Sequence, residues 1–482
     1  MTYRQLPSEF YTASLPMKLQ DLQVLIVNRQ LANQLAIGLD KLSDESMLAV
    51  FSGNITAFDS TPIAMAYSGH QFGYLSPQLG DGRAVLLGES IAKDGKRFDI
   101  HLKGSGQTPY SRRGDGQSTL RAVLKEYLFS ESLSALGMPT TRSLAVVLTG
   151  KSVHRDKVHQ GAVLFRTASS HIRVGTFVYA HLLKNIASLN ALADYTIARE
   201  YPEINMEAPD CYEVFLGSVI SRQAKLIAKW MASGFIHGVM NTDNMTISGE
   251  TIDFGPCAFM DGFNENQVYS SIDEGGRYAW NKQPEIALWN LSRFAETLLP
   301  LFGSDEATAI KKAETSLACF MPEYLKHLYN IMALKLGLKA SEKHHIDFIK
   351  KTFVLLQISK VDYTGFFREL TCVANGAETT KLIELFNKTE LLHSWLERWT
   401  KLRDELKTKT VLAEQMRKTN PIFIPRSYLV EEALEFARNG DMSYFNKLLQ
   451  VVQNPYTEDP CLENLSQPAK KWQNQIPTFC ET

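Results

Sequence analysis

The chain has 482 residues and a mass of 54.2 kDa, enough for one large core or two to three smaller ones. Its 51 Lys and Arg against 52 Asp and Glu leave a net charge of -1, and 44% hydrophobic with 21% charged residues is an ordinary globular composition, so no nucleic-acid footprint is present. No apolar run approaches the length of a membrane span, and the opening "MTYRQLPSEFYTASLP" lacks the apolar core of a signal peptide, so no membrane partner and a cytoplasmic location are expected.

The first 275 residues mix short β-like runs with helical stretches and glycine turns, an α+β pattern. In "QLGDGRAVLLGE", Gly80 and Gly82 bracket an Asp just before such a run. Glycines there let backbone N–H groups approach a phosphate, and Arg83 beside them can fork onto phosphate oxygens. The next segment, "RFDIHLKGSGQTPYSRRGDGQSTLRAVLKEYLFSE", alternates Phe98, Ile100 and Leu102 as a half-buried strand ending at Lys103. After a glycine-rich loop, Leu120, Val123, Leu124 and Leu128 share a helical face, with Ser118 or Thr119 as N-cap. Glu126 on that helix can pair with Lys103 as a kinase pairs its strand lysine with a helix glutamate to hold nucleotide phosphates. Glu131 is expected to face solvent. In "LFRTASSHIRVG", Arg166 and Arg173 sit across a turn; with Lys103 and Arg83 they could supply four cations to one triphosphate.

"GFIHGVMNTDNMTISGETIDFGP", Gly234 to Pro256, has the form of a kinase catalytic loop followed by its metal-binding Asp-Phe-Gly. The metal-site Asn is Asn244, but the position five before it, where a kinase carries its base, is Val239. Asn244 and Asp253 bracket "MTISGETI", read as two short strands around a Ser-Gly turn that bring both side chains to one end. An Asn oxygen with an Asp carboxylate, completed by phosphate and water, suits Mg²⁺. Asp243 is the carboxylate left in the loop to act as a base, and His237 is read as structural. Beyond residue 300 glycine becomes sparse and "SYLVEEALEFARNGDMSYFNKLLQVV" shows three- and four-residue apolar spacing, so the C-terminal third is expected to be helical. The six cysteines have no C-x-x-C spacing, which indicates neither a disulfide framework nor a zinc site.

These motifs, together with "YSGHQFGYLSPQLGDGR", "LGMPTTRSLAVV" and "GRYAWNKQPEIALWNL", resemble the SelO/YdiU family of pseudokinase-like adenylyltransferases, essentially end to end. The resemblance implies a two-lobed protein-kinase-like fold that binds ATP inverted, so that the α-phosphate meets the acceptor and AMP passes to Ser, Thr or Tyr hydroxyls of proteins. It places Gly80, Gly82, Arg83, Lys103, Asp115, Gly116, Arg166, Arg173 and Asp253 at nucleotide-binding positions, Asp243 as base, and Asn244 and Asp253 as ligands of Mg²⁺ or Mn²⁺. UTP as donor, a kinase reaction and a non-catalytic scaffold stay open as alternatives. The family's C-terminal redox position is matched by Cys480. The segment after Asp-Phe-Gly lacks the cysteine that some members pair with it, and Cys257 is the nearest substitute. The expected divisions are an N-terminal extension over 1–60, an N-lobe-like region over 61–175, a C-lobe over 176–300 and a helical region with tail over 301–482.

Overall fold

The computed structural model describes residues 1–18, 21–38, 61–303, 305–339, 342–387, 389–406 and 409–469. Its N-terminal half is built on an antiparallel sheet. The strands are β1 (Tyr11–Ala13), β2 (Gln23–Val27), β3 (Ile63–Met65), β6 (Ala84–Ile91), β7 (Arg97–Lys103), β9 (Arg142–His154) and β10 (Val158–Ala168), in the order β1-β3-β6-β7-β10-β9-β2, with β8 (Ser118–Thr119) paired to β10. Between β3 and β6 lies a separate hairpin of β4 (Gly69–Gln71) and β5 (Tyr74–Ser76).

The two-residue period of a strand divides this sheet into two faces. Ile100 and Leu102 of β7 join Val85, Leu87, Val163 and Phe165 in a small apolar layer closed by Leu31 of helix α1 (Arg29–Gln34). On the other face stand His101 and Lys103, with Arg166 directly across from His101 in the β7–β10 register. Polar groups on that face point at helix α2 (Leu120–Ala135), whose N-cap is Thr119: its hydroxyl accepts from the Ala122 amide at 3.1 Å.

Most of the rest is helical, apart from a short antiparallel pair of Phe235–Ile236 with Ala258–Phe259 and the loops around it: α3 (Val174–Leu182), α4 (Ile186–Glu200), α5 (Cys211–Ser233), α6 (Gln283–Leu298), α7 (Glu306–Ala318), α8 (Phe320–Leu336), α9 (Lys343–Ser359), α10 (Tyr363–Ala374), α11 (Thr380–Glu384), α12 (Thr389–Asp404), α13 (Lys409–Thr419), α14 (Ser427–Arg438) and α15 (Ser443–Gln453). The α+β class and the helical C-terminal third therefore hold. Among the described residues no helix is long and apolar enough to cross a membrane.

Glu131 departs from expectation. It is buried, accepting from Arg142 Nε at 2.8 Å and Nη2 at 2.7 Å and from Asn28 Nδ2 at 2.8 Å. The reason is that α2 has no solvent face at this turn, because β9 packs on one side and the C-terminal helices α14 and α15 on another. Arg121 of α2 pairs with Glu431 of α14 in the same contact.

A second buried ion cluster ties the C-terminal region to the body. Arg426, just before α14, bonds Asp261, both oxygens of Asp362 at 2.9 Å, and the Ser466 carbonyl at 3.0 Å. Removing one partner from a buried ion cluster strands the others without compensation. Arg426→Ala is expected to lower unfolding free energy by about 3–5 kcal/mol, measured by chemical denaturation; a loss below about 1 kcal/mol, the scale of an exposed pair, would show that Asp261 and Asp362 are stabilised by something else.

Candidate active site

Sheet, α2 and the loop 237–256 enclose a cleft of about 830 Å³, a size suited to a nucleotide. At its floor stands Asp253. Its Oδ1 accepts from Lys103 Nζ at 2.7 Å and from Arg166 Nη1 at 2.7 Å, and its Oδ2 from Arg173 Nη1 at 2.8 Å. Glu126 completes the cluster, accepting from Lys103 at 2.6 Å and from Arg166 at 3.0 Å. Burial alone would push the Asp253 carboxyl up, but Lys103, Arg173 and Arg166 more than offset it and hold it well below the usual carboxylate range. Asp253 also adopts φ of 63°, the left-handed region a non-glycine residue rarely enters, so its placement carries backbone strain.

The strand–helix pairing expected of Lys103 and Glu126 is present, and the structure joins Arg166, Arg173 and Asp253 to it. Arg173 reaches furthest: its guanidinium also donates to the Asp243 carbonyl at 2.7 Å and lies over the Tyr67 ring, 4.6 Å from the centroid. Arg83 lines the same cleft. Asp115 also lines the cleft but stands apart from the cluster, held by both Arg155 Nη atoms at 2.9 and 3.0 Å.

The glycines line the cleft, yet their identity is fixed by packing. A Cβ on Gly80 would lie 2.6 Å from the Tyr110 ring, and one on Gly116 only 2.0 Å from the Gly106 carbonyl; both residues have positive φ, 121° and 69°. Gly82 is closed in by the Tyr110 carbonyl in the same way, at 2.9 Å.

The segment "MTISGETI" does not fold as two strands paired with each other. Thr246 and Thr251 are instead bridged outward, to Arg173 and to Thr140. The backbone explains this: Met245 accepts from Val174 N and Ile247 donates to Ile172 O, while Thr251 exchanges bonds with Pro139 and Thr141. With those groups taken, the turn closes through the Thr246 hydroxyl and Glu250, at 2.7 and 2.9 Å. Asn244 and Asp253 still face one cleft. The Asn244 amide nitrogen donates to the Val239 carbonyl at 3.1 Å, which leaves its oxygen as the free end. His237 is structural as expected, bonded to the Ile252 carbonyl at 2.8 Å and stacked on Trp230.

Asp243 is buried, and its Oδ1 has no hydrogen-bond partner. Burial raises its carboxyl to about 6, with the Asp253 charge adding to the rise and Arg173 opposing it. The β4–β5 hairpin, which sequence reasoning passed over, closes this site. The His70 amide donates to the Thr242 hydroxyl at 2.7 Å, and the Tyr278 hydroxyl donates to Asn241 Oδ1 at 2.6 Å. Cys257 is buried behind the loop, its thiol pushed up to about 12 by burial, and Cys480 lies outside the described residues.

Residues 1–453 match the family described as protein adenylyltransferase SelO. The chain belongs to that family. Relatives in it include the protein nucleotidyltransferase YdiU of Rhizobium meliloti strain 1021, 46% identical over 484 residues that cover 100% of this chain and 98% of the relative. Those of Bacillus thuringiensis strain Al Hakam and Clostridium perfringens strain SM101 are each 46% identical over 100% of this chain and 97% of theirs.

The burial of Asp243 can be tested without a substrate. Its carboxyl binds a proton more tightly folded than unfolded, so that stabilisation is present below the unfolded value of about 4 and is lost as pH rises through about 6. Above pH 6 the buried charge is a net cost. Asp243→Asn should therefore raise stability at pH 8, by roughly 2–3 kcal/mol, and by much less at pH 4. Denaturation curves at the two pH values decide it; destabilisation at pH 8 would mean the ionised carboxylate is held by partners.

Proposed function

We propose that the chain is a protein nucleotidyltransferase that moves AMP from ATP to Ser, Thr or Tyr hydroxyls of proteins and releases pyrophosphate. The names of the relatives support nucleotidyl transfer to protein. The observation that carries the reading is the pairing of an apolar Val239 with a buried Asp243, four residues on, whose carboxylate Oδ1 has no hydrogen-bond partner and which lies one guanidinium away from the cationic cluster. A sheet lysine, a helix glutamate and a loop bearing Asn244 and Asp253 follow one another as in a protein kinase, which supports a kinase-like two-lobed reading.

In this reading the triphosphate enters with its terminal phosphates among Lys103, Arg166 and Arg173. Three cations against the two carboxylates Asp253 and Glu126 leave one net positive charge at the floor, which favours a polyanion. Asp243 takes the proton of the acceptor hydroxyl, and the freed oxygen attacks the α-phosphorus. The bond from that phosphorus to the β-phosphate oxygen breaks, and the electron pair leaves with pyrophosphate, whose growing charge the three cations stabilise. A value near 6 suits a base that must be ionised at neutral pH yet still take a proton.

Asn244 and Asp253 offer hard oxygen donors and would hold Mg²⁺ or Mn²⁺, which when bound screens the phosphate charge. UTP carries the same triphosphate, and nothing in the cluster distinguishes it from ATP. The absence of a membrane-spanning helix among the described residues is compatible with cytoplasmic action on soluble acceptors.

The identity of the transferred group is the test. With an acceptor protein and labelled ATP, label should enter protein from the α position and not from the γ position, and Asp243→Ala should lower the rate by at least about 100-fold while ATP affinity stays within about threefold. Label from γ-ATP alone would make the chain a kinase using Asp243 as its base.

A further inference from the structure

Arg166 is held from behind by a buried chain that the transfer step does not touch. Its Nη2 lies 3.2 Å from His101 Nδ1, while His101 Nε2 lies 3.0 Å from Asp81 Oδ2. Asp81 also accepts from the Met65 amide at 3.1 Å. The His101 ring is stacked on His171, with centroids 4.4 Å apart and planes 26° apart, and His171 is bonded to Asp99 at 3.1 Å. All of these side chains are buried.

A guanidinium can only donate, so the nitrogen facing it must be an acceptor. His101 therefore carries its one proton on Nε2 and gives it to Asp81. A second proton would set N–H against N–H at Arg166. Burial disfavours that charge first of all; the Asp81 carboxylate favours it, but Arg166 and Arg173 oppose it and the balance stays below the ordinary histidine value.

We infer that His101 is a positioning residue for nucleotide binding: a neutral acceptor, its tautomer set by Asp81, that orients Arg166 without neutralising it. The inference rests on the reading of Arg166 as a phosphate ligand. Its physical basis is a contrast among the partners of that guanidinium. Glu126 and Asp253 hold Nη1 with negative charge, and an incoming phosphate competes with both. His101 holds Nη2 without carrying a charge, and although it borders the cleft its side chain is fully buried. A carboxylate in its place would cancel the one net positive charge of the cluster. An apolar residue would leave the guanidinium, whose Nε already lacks a partner, held through Nη1 alone, by the two carboxylates with which a phosphate competes.

Two substitutions separate the nitrogens. His101→Gln can keep a donor for Asp81 but loses the acceptor for Arg166, whereas His101→Asn keeps an oxygen near the Nδ1 position. For ATP-dependent transfer, His101→Gln should raise KM for ATP about tenfold with a smaller change in kcat, and His101→Asn should stay within about threefold of wild type. In an Arg166→Lys background the His101→Gln effect should shrink to below about twofold, because the residue acts through Arg166. An undiminished tenfold effect there, or equal effects of Gln and Asn, would overturn the proposal. Nitrogen-15 NMR of histidine-labelled wild-type protein provides a readout independent of activity: a neutral His101 protonated on Nε2 is expected, and an Nδ1–H form rejects the contact. Wild-type protein that neither binds ATP nor transfers from it would sink the functional reading alone, since the NMR result still judges His101.

Discussion

The clustering of Lys103, Arg166 and Arg173 around Asp253 is the constraint on which the rest of the structure turns. Three cations brought within hydrogen-bond reach of one carboxylate repel one another, and in a buried site that repulsion is poorly screened. The carboxylate must be present, and present in one place, for β7, β10 and the start of α3 to approach. That requirement accounts for the left-handed backbone of Asp253: its conformation is unfavourable in itself and is held by three charge-assisted bonds. The arrangement is poised, because the partner that holds the cations together is the one an incoming polyanion would partly replace.

The same requirement explains why the C-terminal helices pack where they do. Glu126 serves Lys103 and Arg166 only if α2 stays against the sheet, and α2 is fastened along its length. Arg121 pairs with Glu431 of α14, Lys125 donates to the Gly255 carbonyl at 2.6 Å, and Glu131 is locked by Arg142 and Asn28. Arg426 in turn fixes the start of α14 to the segment after Asp-Phe-Gly. In this structure α2 is framework, braced by residues more than 300 positions away in the chain, as Arg121 and Glu431 are separated by 310.

Local pattern carried much of this into the sequence. Alternation along Phe98–Lys103 gave β7 and the polar end at Lys103, and the leucine spacing after Thr119 gave α2 with Glu126 on it. The same alternation puts His101 on the Lys103 face, a signal present two residues away and left unused. What pattern could not supply was the other side of each element. Glu131 looks solvated from α2 alone, because the covering helices come from the far end of the chain. "MTISGETI" resembles a hairpin because its turn residues are right, yet its backbone bonds are claimed by residues 139–141 and 172–174, which no local rule identifies. β1 and β2 are short strands whose partners, β3 and β9, lie far from them in sequence.

The strength of the Asp243 acid shows how such distant packing becomes chemistry. A carboxylate on an exposed loop would titrate near its ordinary value and be a weak base at neutral pH. Here β4 folds over it so closely that a Cβ on Gly69 would lie 2.2 Å from Asp243 Oδ1. Only a residue with no side chain lets the hairpin seat there, and the seated hairpin removes water from the carboxylate. Burial is the largest contribution to the rise toward about 6. Gly69 has no functional group of its own, and it sets the proton affinity of a group 174 residues later by being small enough to let the hairpin close.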